Sequence, residues 1–290
     1  MKKHFTLLAF SLSVFSFAQV GIGTTSPSAS AALDLSSIEK GFLPPRMTTE
    51  QRNLIANPTA GLTIFNTSLK CLEVYNGFQW NCEIPKNPSD VYNTSTGKIW
   101  MDRNLGASQA ATSSNDFNGY GSLFQWGRAA DGHQIINRSS ANSGTAANGA
   151  TPGPYNGGDT PPNALFITTE NSPYDWRSTQ NNSLWQGVNG TNNPCPSGYR
   201  LPTQAEWEAE INSWSSQNAA GAFASPLKLT TAGYRKRDTA ALFGIGNNAI
   251  YWSSTVNGVL SFSLNFSNSN SATIIEDIRG RGCSVRCIKD

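Results

Sequence analysis

The chain has 290 residues, of which 38% are apolar and only 14% are charged, so most of its surface is expected to be polar without charge. It carries 21 basic and 19 acidic residues, and loss of the two lysines in the N-terminal leader described next leaves 19 of each. This balance argues against a nucleic acid as partner, because phosphate binding needs a basic excess. The length allows one large domain or two modest ones.

Residues 1–18 have the pattern of a secretory signal peptide. Lys2 and Lys3 precede an apolar run from Phe5 to Phe17, and small residues end the segment. The run is too short to cross a bilayer, and no second long apolar segment follows it. We therefore expect cleavage after Ala18, a chain without a transmembrane span, and a location outside the cell or on its outer surface.

The remaining sequence divides into two units. Residues 19–83 read as an N-terminal β-rich module, in which Thr48 or Thr49 caps a short helix. Residues 84–90 contain two prolines and no periodicity, so they are interpreted as a linker. Residues 91–290 form the larger unit.

The N-terminal module contains a hairpin signal. Apolar runs flank Asn76-Gly77, which is a strong two-residue turn sequence. In that register Cys71 lies opposite Cys82 and Glu73 lies opposite Trp80. Directly opposed residues are close enough for a disulfide, so the sequence predicts a Cys71–Cys82 bond.

The larger unit begins with a strand at residues 98–102, and residues 113–128 suggest a short capped helix. Residues 138–194 are rich in Asn, Ser, Gly, Pro and Thr, as is typical of a long loop. Thr203 and Glu206 form a capping box, which predicts an amphipathic helix over residues 203–215.

The C-terminal third has the alternation of a β-meander. Residues 249–256 and 259–266 flank Asn257-Gly258, a second hairpin signal. Further strands are expected at residues 272–278 and 283–288.

The five cysteines of an exported chain are expected to form disulfides, with one left over. If residues 283–288 are extended, Cys283 and Cys287 lie too far apart to bond each other. One of them is then available to Cys195. We favour Cys195–Cys287 with Cys283 unpaired, and this structural role for Cys195 over a nucleophilic one.

Catalytic and metal-binding patterns are sparse. After the leader the chain has one histidine, His133, so a His-rich metal site is excluded. Glu206 is assigned to helix capping, while Glu208 and Glu210 are expected to face solvent. Four aspartates could contribute to a site built from loops: Asp102, Asp116, Asp131 and Asp159. We expect no catalytic residue, metal or cofactor. Two basic runs, at residues 235–237 and at Arg279, Arg281 and Arg286, are interpreted as solvated or ion-paired.

Aromatic residues in polar surroundings are the best candidates for ligand binding. Four lie in the long loop segment: Tyr155, Tyr174, Trp176 and Trp185. Exposed rings beside Asn, Asp and Arg can stack on sugar rings and present hydrogen-bonding neighbours. The alternative is that these rings anchor the loop to the core.

Five blocks carry a resemblance to a known family. They are GKIWMDRNLGAS (97–108), YGSLFQWGRAADGH (120–133), CPSGYRLPTQAEW (195–207), YWSST (251–255) and GCSVRCIKD (282–290). Residues 91–290 thus resemble the Fibrobacter succinogenes major paralogous (FISUMP) domain, a family of exported proteins from Bacteroidota-type bacteria and relatives.

The resemblance implies a C-type-lectin-like fold related to formylglycine-generating enzymes, and paired cysteines at positions 195 and 287. Cys283 departs from the family pattern, in which an aromatic or aliphatic residue is more frequent. The N-terminal module is similar to modules of exported surface proteins and to pieces of phage tail fibres, which implies a homotrimer.

The expected fold is therefore α+β: a β-rich domain with two or three short helices and long loops, preceded by a small hairpin-containing module. The expected function is binding or adhesion, through glycan or protein recognition at the cell surface. Two alternatives stay open: a structural fibre or matrix subunit, and a thiol-dependent oxidase that uses Cys283 and Cys287.

Overall fold

The structure, a computed structural model, describes residues 19–69, 71–83 and 90–290, with only the backbone for Cys82 and Glu83. Strand accounts for 32% of the chain and helix for 9%, so the fold is β-rich with few short helices. The chain separates into two compact units, Met1–Lys86 and Asn87–Asp290. The expected signal peptide and residues 84–89 of the expected linker lie outside the described residues, whereas Asp90 begins a strand.

The described residues of the N-terminal unit contain six short strands and one helix. The elements are β1 (Val20–Ile22), β2 (Leu33–Leu35), β3 (Arg46–Met47), α1 (Thr49–Asn53), β4 (Thr63–Asn66), β5 (Cys71–Tyr75) and β6 (Trp80–Glu83). Strands β1 and β2 form a parallel pair, and the other four form a sheet in the order β3-β4-β5-β6.

Thr48 is the residue that caps α1. Its hydroxyl accepts a hydrogen bond from the Gln51 backbone, and the Gln51 side chain accepts one from the Thr48 backbone. Behind this turn Glu73 is 1% exposed and accepts hydrogen bonds from Arg52 at 2.5 Å and Asn66 at 2.7 Å. The small sheet is therefore organised around a satisfied buried carboxylate.

The β5–β6 hairpin differs from its predicted register. Tyr75 pairs with Trp80 and Glu73 pairs with Cys82, so the connection has four residues instead of two. The Asn76 side chain accepts hydrogen bonds from the backbones of Phe78 and Gln79, which stabilises this longer turn. The predicted opposition of Cys71 and Cys82 is therefore wrong. Cys71 is disulfide-bonded, and the side chain of Cys82 lies outside the described residues.

The C-terminal unit is built from fifteen short strands and two helices among its described residues. The first strands are β7 (Asp90–Asn93), β8 (Lys98–Met101), β9 (Phe124–Gln125), β10 (Ile136–Ser140), β11 (Ser143–Ala146), β12 (Ala150–Pro152) and β13 (Phe166–Thr168). After β14 (Tyr199–Arg200) come α2 (Gln204–Asn212) and α3 (Ala219–Ala224). The last strands are β15 (Tyr234–Arg235), β16 (Leu242–Phe243), β17 (Asn248–Asn257), β18 (Leu260–Ser267), β19 (Thr273–Asp277), β20 (Gly282–Cys283) and β21 (Ile288–Lys289).

Three sheets organise this unit, in the orders β14-β21-β8-β7, β16-β15-β20-β9 and β17-β18-β19. The C-terminal segment contributes a strand to each of the first two, so it draws together elements that are far apart in sequence. Residues 283–288 are not one strand as predicted, because β20 and β21 belong to different sheets. None of the helices in the described ranges has the length and apolar content needed to span a membrane.

Helix α2 begins at the predicted capping box. Thr203 and Glu206 exchange the two reciprocal hydrogen bonds, and Arg200 donates two bonds of 2.8 Å to the Glu206 carboxylate. Burial alone would raise the pKa of Glu206, but these hydrogen bonds lower it to about 2. The helix ends at Asn212, three residues earlier than predicted, and Ser213 is its C-cap.

The expectation that Glu210 faces solvent is wrong. Its side chain is fully buried and accepts hydrogen bonds from Asn93 at 2.7 Å and from the Trp214 indole at 3.0 Å. Burial raises the pKa of this carboxyl group. Glu210 thus joins α2 to the edge of the first sheet.

The β17–β18 hairpin confirms the predicted meander with a small shift. Asn257 pairs with Leu260, so the two turn residues are Gly258 and Val259. Leu264 and Phe266 lie in the core. The segment predicted as a helix at residues 113–128 is a 3-10 turn at Phe117–Gly119, capped by Asp116.

Candidate functional site

The four aromatic candidates separate into two buried and two half-buried residues. Trp176 and Trp185 are 0% exposed and belong to the apolar cluster around Trp126 and Trp252. The Trp176 indole donates a 2.7 Å hydrogen bond to the Trp126 backbone oxygen. Their assignment as ligand-stacking residues is therefore corrected, because no ring face is open to a ligand: they anchor the long segment to the core.

Tyr155 is half-buried and lines a cavity of about 240 Å³. The other lining residues are mainly prolines and polar residues of the same segment, including Pro154, Pro161 and Asn163. Tyr174 is also half-buried, and the guanidinium carbon of Arg237 lies 3.9 Å from its ring centroid. These two tyrosines keep access to solvent, but the structure does not bring them into one cavity.

The four aspartates considered for a loop-built site each have their own partners. Asp102 pairs with Arg103, Asp131 with Arg128 and His133, and Asp159 with Arg177. Asp116 caps the 3-10 turn. In the part of the chain that the structure describes, no group of three acidic, histidine or cysteine side chains is placed to hold a metal ion.

His133 is fully buried and satisfied at both ring nitrogens. Its Nε2 atom accepts a 3.1 Å hydrogen bond from the Gln125 backbone, so Nδ1 carries the proton and donates to Asp131 at 2.7 Å. Burial lowers its pKa to about 4, although Asp131 opposes the shift. The residue therefore works as a neutral structural link between β9 and the loop before β10.

The C-terminal cysteines do not form a dithiol. Cys287 is bonded to Cys195, with Cα atoms 5.9 Å apart, as favoured from the sequence. Cys283 has a free thiol that is 0% exposed, and burial raises its pKa. Since thiolate chemistry needs an accessible, ionisable sulfur, the environment of Cys283 does not favour reactivity.

The N-terminal unit exposes an unusual amount of apolar surface. Seven large apolar residues of its first half are 45% exposed or more: Val20, Ile22, Leu33, Leu35, Ile38, Phe42 and Leu43. Four of them, Ile22, Leu35, Phe42 and Leu43, line one groove of about 650 Å³. Contiguous apolar patches of this kind mark interaction surfaces in proteins that bind other chains.

Comparison with known proteins points to the same segment. Residues 21–108 match a family described as the phage tail like trimerisation region. The match includes the apolar groove and extends over β7 and β8, and it covers under a third of the chain. No curated protein and no solved structure matches the chain.

Proposed function

We propose that the N-terminal unit assembles three copies of this chain and that the C-terminal unit is carried in three copies for binding outside the cell. The observation that carries the proposal is the apolar groove bounded by Ile22, Leu35, Phe42 and Leu43, which lies within the segment matched by the trimerisation family. The occupant of the groove is a second copy of the same segment, repeated around a threefold axis.

The energetics support an oligomer more than a solitary unit. A small unit with short two-residue and three-residue strands buries little apolar surface by itself. Its exposed Leu, Ile and Phe side chains stabilise only when another surface removes them from water, at about 25 cal/mol per Å². In a closed ring the apolar groove of each copy is covered by the next copy, so no apolar patch stays exposed to nucleate aggregation.

The larger unit suits a binding role. It combines a rigid tryptophan-rich core with long surface segments, an arrangement often used for recognition. We retain from the sequence resemblance the proposals of a C-type-lectin-like fold, an export signal in residues 1–18 and a location on the outer surface. A glycan or a protein is the proposed ligand.

Light scattering on the full chain without residues 1–18 tests the assembly. We expect three times the chain mass for the wild type and a monomer for the Leu35→Asp, Phe42→Asp double variant. The control is Leu54→Asp, which alters a residue of the same unit that is 82% exposed and outside the groove. A wild-type monomer, or a trimer that survives the double variant, would contradict the proposal.

A further inference from the structure

The side chains of the two basic runs fall into two sets in the folded chain: one set is buried and the other faces outward. Arg235, Arg279 and Arg286 are at most 2% exposed and donate to buried acceptors. The outward set is Lys236, Arg237 and Arg281, all partly exposed. Arg237 and Arg281 are 44 positions apart in sequence, yet both place a positive charge at the same pocket.

The strand register explains this meeting. Arg235 on β15 pairs with Gly282 on β20 in an antiparallel ladder, so the next residues outward, Lys236 and Arg281, lie opposite each other. Because the Arg235 side chain points into the core, the adjacent Lys236 points to the other face. Arg237 lies beyond the end of β15 and joins Lys236 and Arg281 in the lining of one pocket.

These side chains line a pocket of about 220 Å³ together with Tyr234 and Asp238. Three cations and one carboxylate give the lining an excess of positive charge. Arg281 is bonded at 2.7 Å to Asp277, which is 4% exposed and lies behind it. Within the described ranges, neither Lys236 nor Arg237 has a carboxylate within 4.0 Å. Lys236 therefore has no ion-pair partner at contact distance, while Arg237 donates a 2.7 Å hydrogen bond to the Thr169 backbone oxygen and attracts the neighbouring Asp238 carboxylate from farther away.

Aromatic rings hold these cations in place and extend the surface. Arg281 lies over Tyr234 at 4.9 Å, Lys236 lies over Phe243 at 4.7 Å, and the Tyr234 and Phe243 rings are 5.5 Å apart. Phe243 is 47% exposed. These cation–π contacts restrict the Arg281 and Lys236 side chains before a ligand binds. Binding of an anion therefore costs less conformational entropy.

We propose that this pocket, formed by Lys236, Arg237, Arg281 and Tyr234, binds the carboxylate or sulfate group of an acidic saccharide. Arg281 and Arg237 each use Nη1 in an internal hydrogen bond, and their remaining N–H groups can donate to the oxygens of either group. The half-exposed Phe243 ring beside the cations offers an apolar surface to the sugar ring. An anion that has no sugar ring would make no contact with this surface. The size of the pocket fits one charged group with part of its sugar.

Lys236 is the residue to change, because its ammonium group contacts the Phe243 ring and has no hydrogen-bond partner among the described residues. Arg281 is unsuitable, since its loss would leave Asp277 buried without its ion-pair partner. The matched control is Lys228→Gln, which removes an exposed lysine of the same unit away from the pocket.

The experiment is calorimetric titration of the full chain, free of residues 1–18, with short probes. The probes are trigalacturonate, a sulfated trisaccharide, the neutral maltotriose and the peptide triglutamate. We expect one site per chain for at least one acidic saccharide, weaker binding at higher salt, and no binding of maltotriose. Lys236→Gln should weaken affinity about tenfold and Lys236→Glu should abolish it, while Lys228→Gln should leave it unchanged.

The first two probes distinguish a carboxylated from a sulfated ligand. The proposal is overturned if neither binds, if the Lys236 variants bind as the wild type does, or if triglutamate binds as tightly as the saccharides. Short probes occupy one site at a time, so the affinity does not depend on trimer formation. A monomeric protein that binds would refute the assembly and leave this site standing.

Discussion

The guanidinium group of Arg286 is buried against the side-chain oxygen of Asn104, with Nη2 2.9 Å away from it. The Asn104 amide nitrogen in turn lies 3.0–3.1 Å from three acceptors, which share its two N–H donors: the Tyr120 backbone oxygen, the Thr230 hydroxyl and the Tyr251 hydroxyl. The network takes one residue from each of four segments that are far apart in sequence: 97–108, 120–133, 251–255 and 282–290. These segments therefore meet at one polar hub inside the fold.

Replacing Arg286 should show how far the C-terminal unit depends on this hub. Arg286 also donates to the backbone oxygens of Met101 and Leu227, so Arg286→Lys leaves several buried acceptors unpaired. We expect a loss of about 3 kcal/mol or more in the free energy of unfolding, measured by urea titration with tryptophan fluorescence. Arg103→Lys, at a side chain that is 29% exposed, should cost less than about 1 kcal/mol. Equal losses in the free energy of unfolding for the two variants would mean that the hub contributes no more to stability than a partly exposed ion pair does.

Truncation of a buried aromatic candidate should lower the stability of the fold, because the side chain packs in the core and forms no part of the surface. We expect Trp176→Ala to lower the free energy of unfolding by about 3–5 kcal/mol, because it leaves a large cavity. Tyr155→Ala, at the half-buried ring, should cost much less. Urea titration compares the two, and a Trp176→Ala protein as stable as the wild type would contradict the core assignment.

Loss of the Cys195–Cys287 disulfide should destabilise the C-terminal unit strongly. The bond joins residues 92 positions apart, and closing a loop of that length stabilises by about 4–5 kcal/mol in the chain-entropy description. We expect Cys195→Ser to show most of this loss, and Cys283→Ala to cost about 1 kcal/mol for its small cavity. Alkylation of the native protein with iodoacetamide should leave Cys283 unmodified. Rapid labelling of Cys283 would show that the site opens readily.

His133 should make stability depend on pH in a predictable direction. Its pKa is about 4 in the folded chain and about 6.5 when unfolded, so the unfolded chain binds the proton more readily between these values. Stability attributable to His133 is present above pH 6.5 and is lost as the pH falls. Between pH 7 and pH 5 the loss should be about 2 kcal/mol.

The contribution of His133 is isolated by comparing urea titrations of the wild type and His133→Gln at both pH values. Acidic groups that do not contact His133 affect both proteins alike, so the difference between the two losses reports on the imidazole together with its partner Asp131, whose pKa it helps to lower. If the variant loses as much stability as the wild type, the histidine is not buried as a neutral group.

Local signals predicted local structure well. The capping box at Thr203 was predicted from the sequence and the first cap was narrowed to Thr48 or Thr49, because capping depends on residues three positions apart. The turn at Asn76 could not, since the Asn side chain supports either a two-residue or a longer connection and pairing beyond the turn decides between them. Glu210 was misassigned because its polar partners, Asn93 and Trp214, are supplied by the tertiary fold.

The candidate site residues could also be predicted from the sequence only in part. Tyr155, Tyr174, Trp176 and Trp185 have similar polar neighbours in the sequence, and only the packing distinguishes those in the core from those near solvent. The cationic pocket could not be predicted from either basic run alone. Its existence depends on the pairing of β15 with β20, and each run contributes both inward and outward side chains.

The position of β21 imposes an order on the folding of this chain. Its two residues, Ile288 and Lys289, lie between β14 and β8, so the central strand of that sheet is synthesised after all the strands around it. Until Ile288 has left the ribosome, β14 and β8 have no partner to join them, and Cys195 has no Cys287 with which to bond. Completion of the C-terminal unit therefore waits until residues 287–289 have been synthesised.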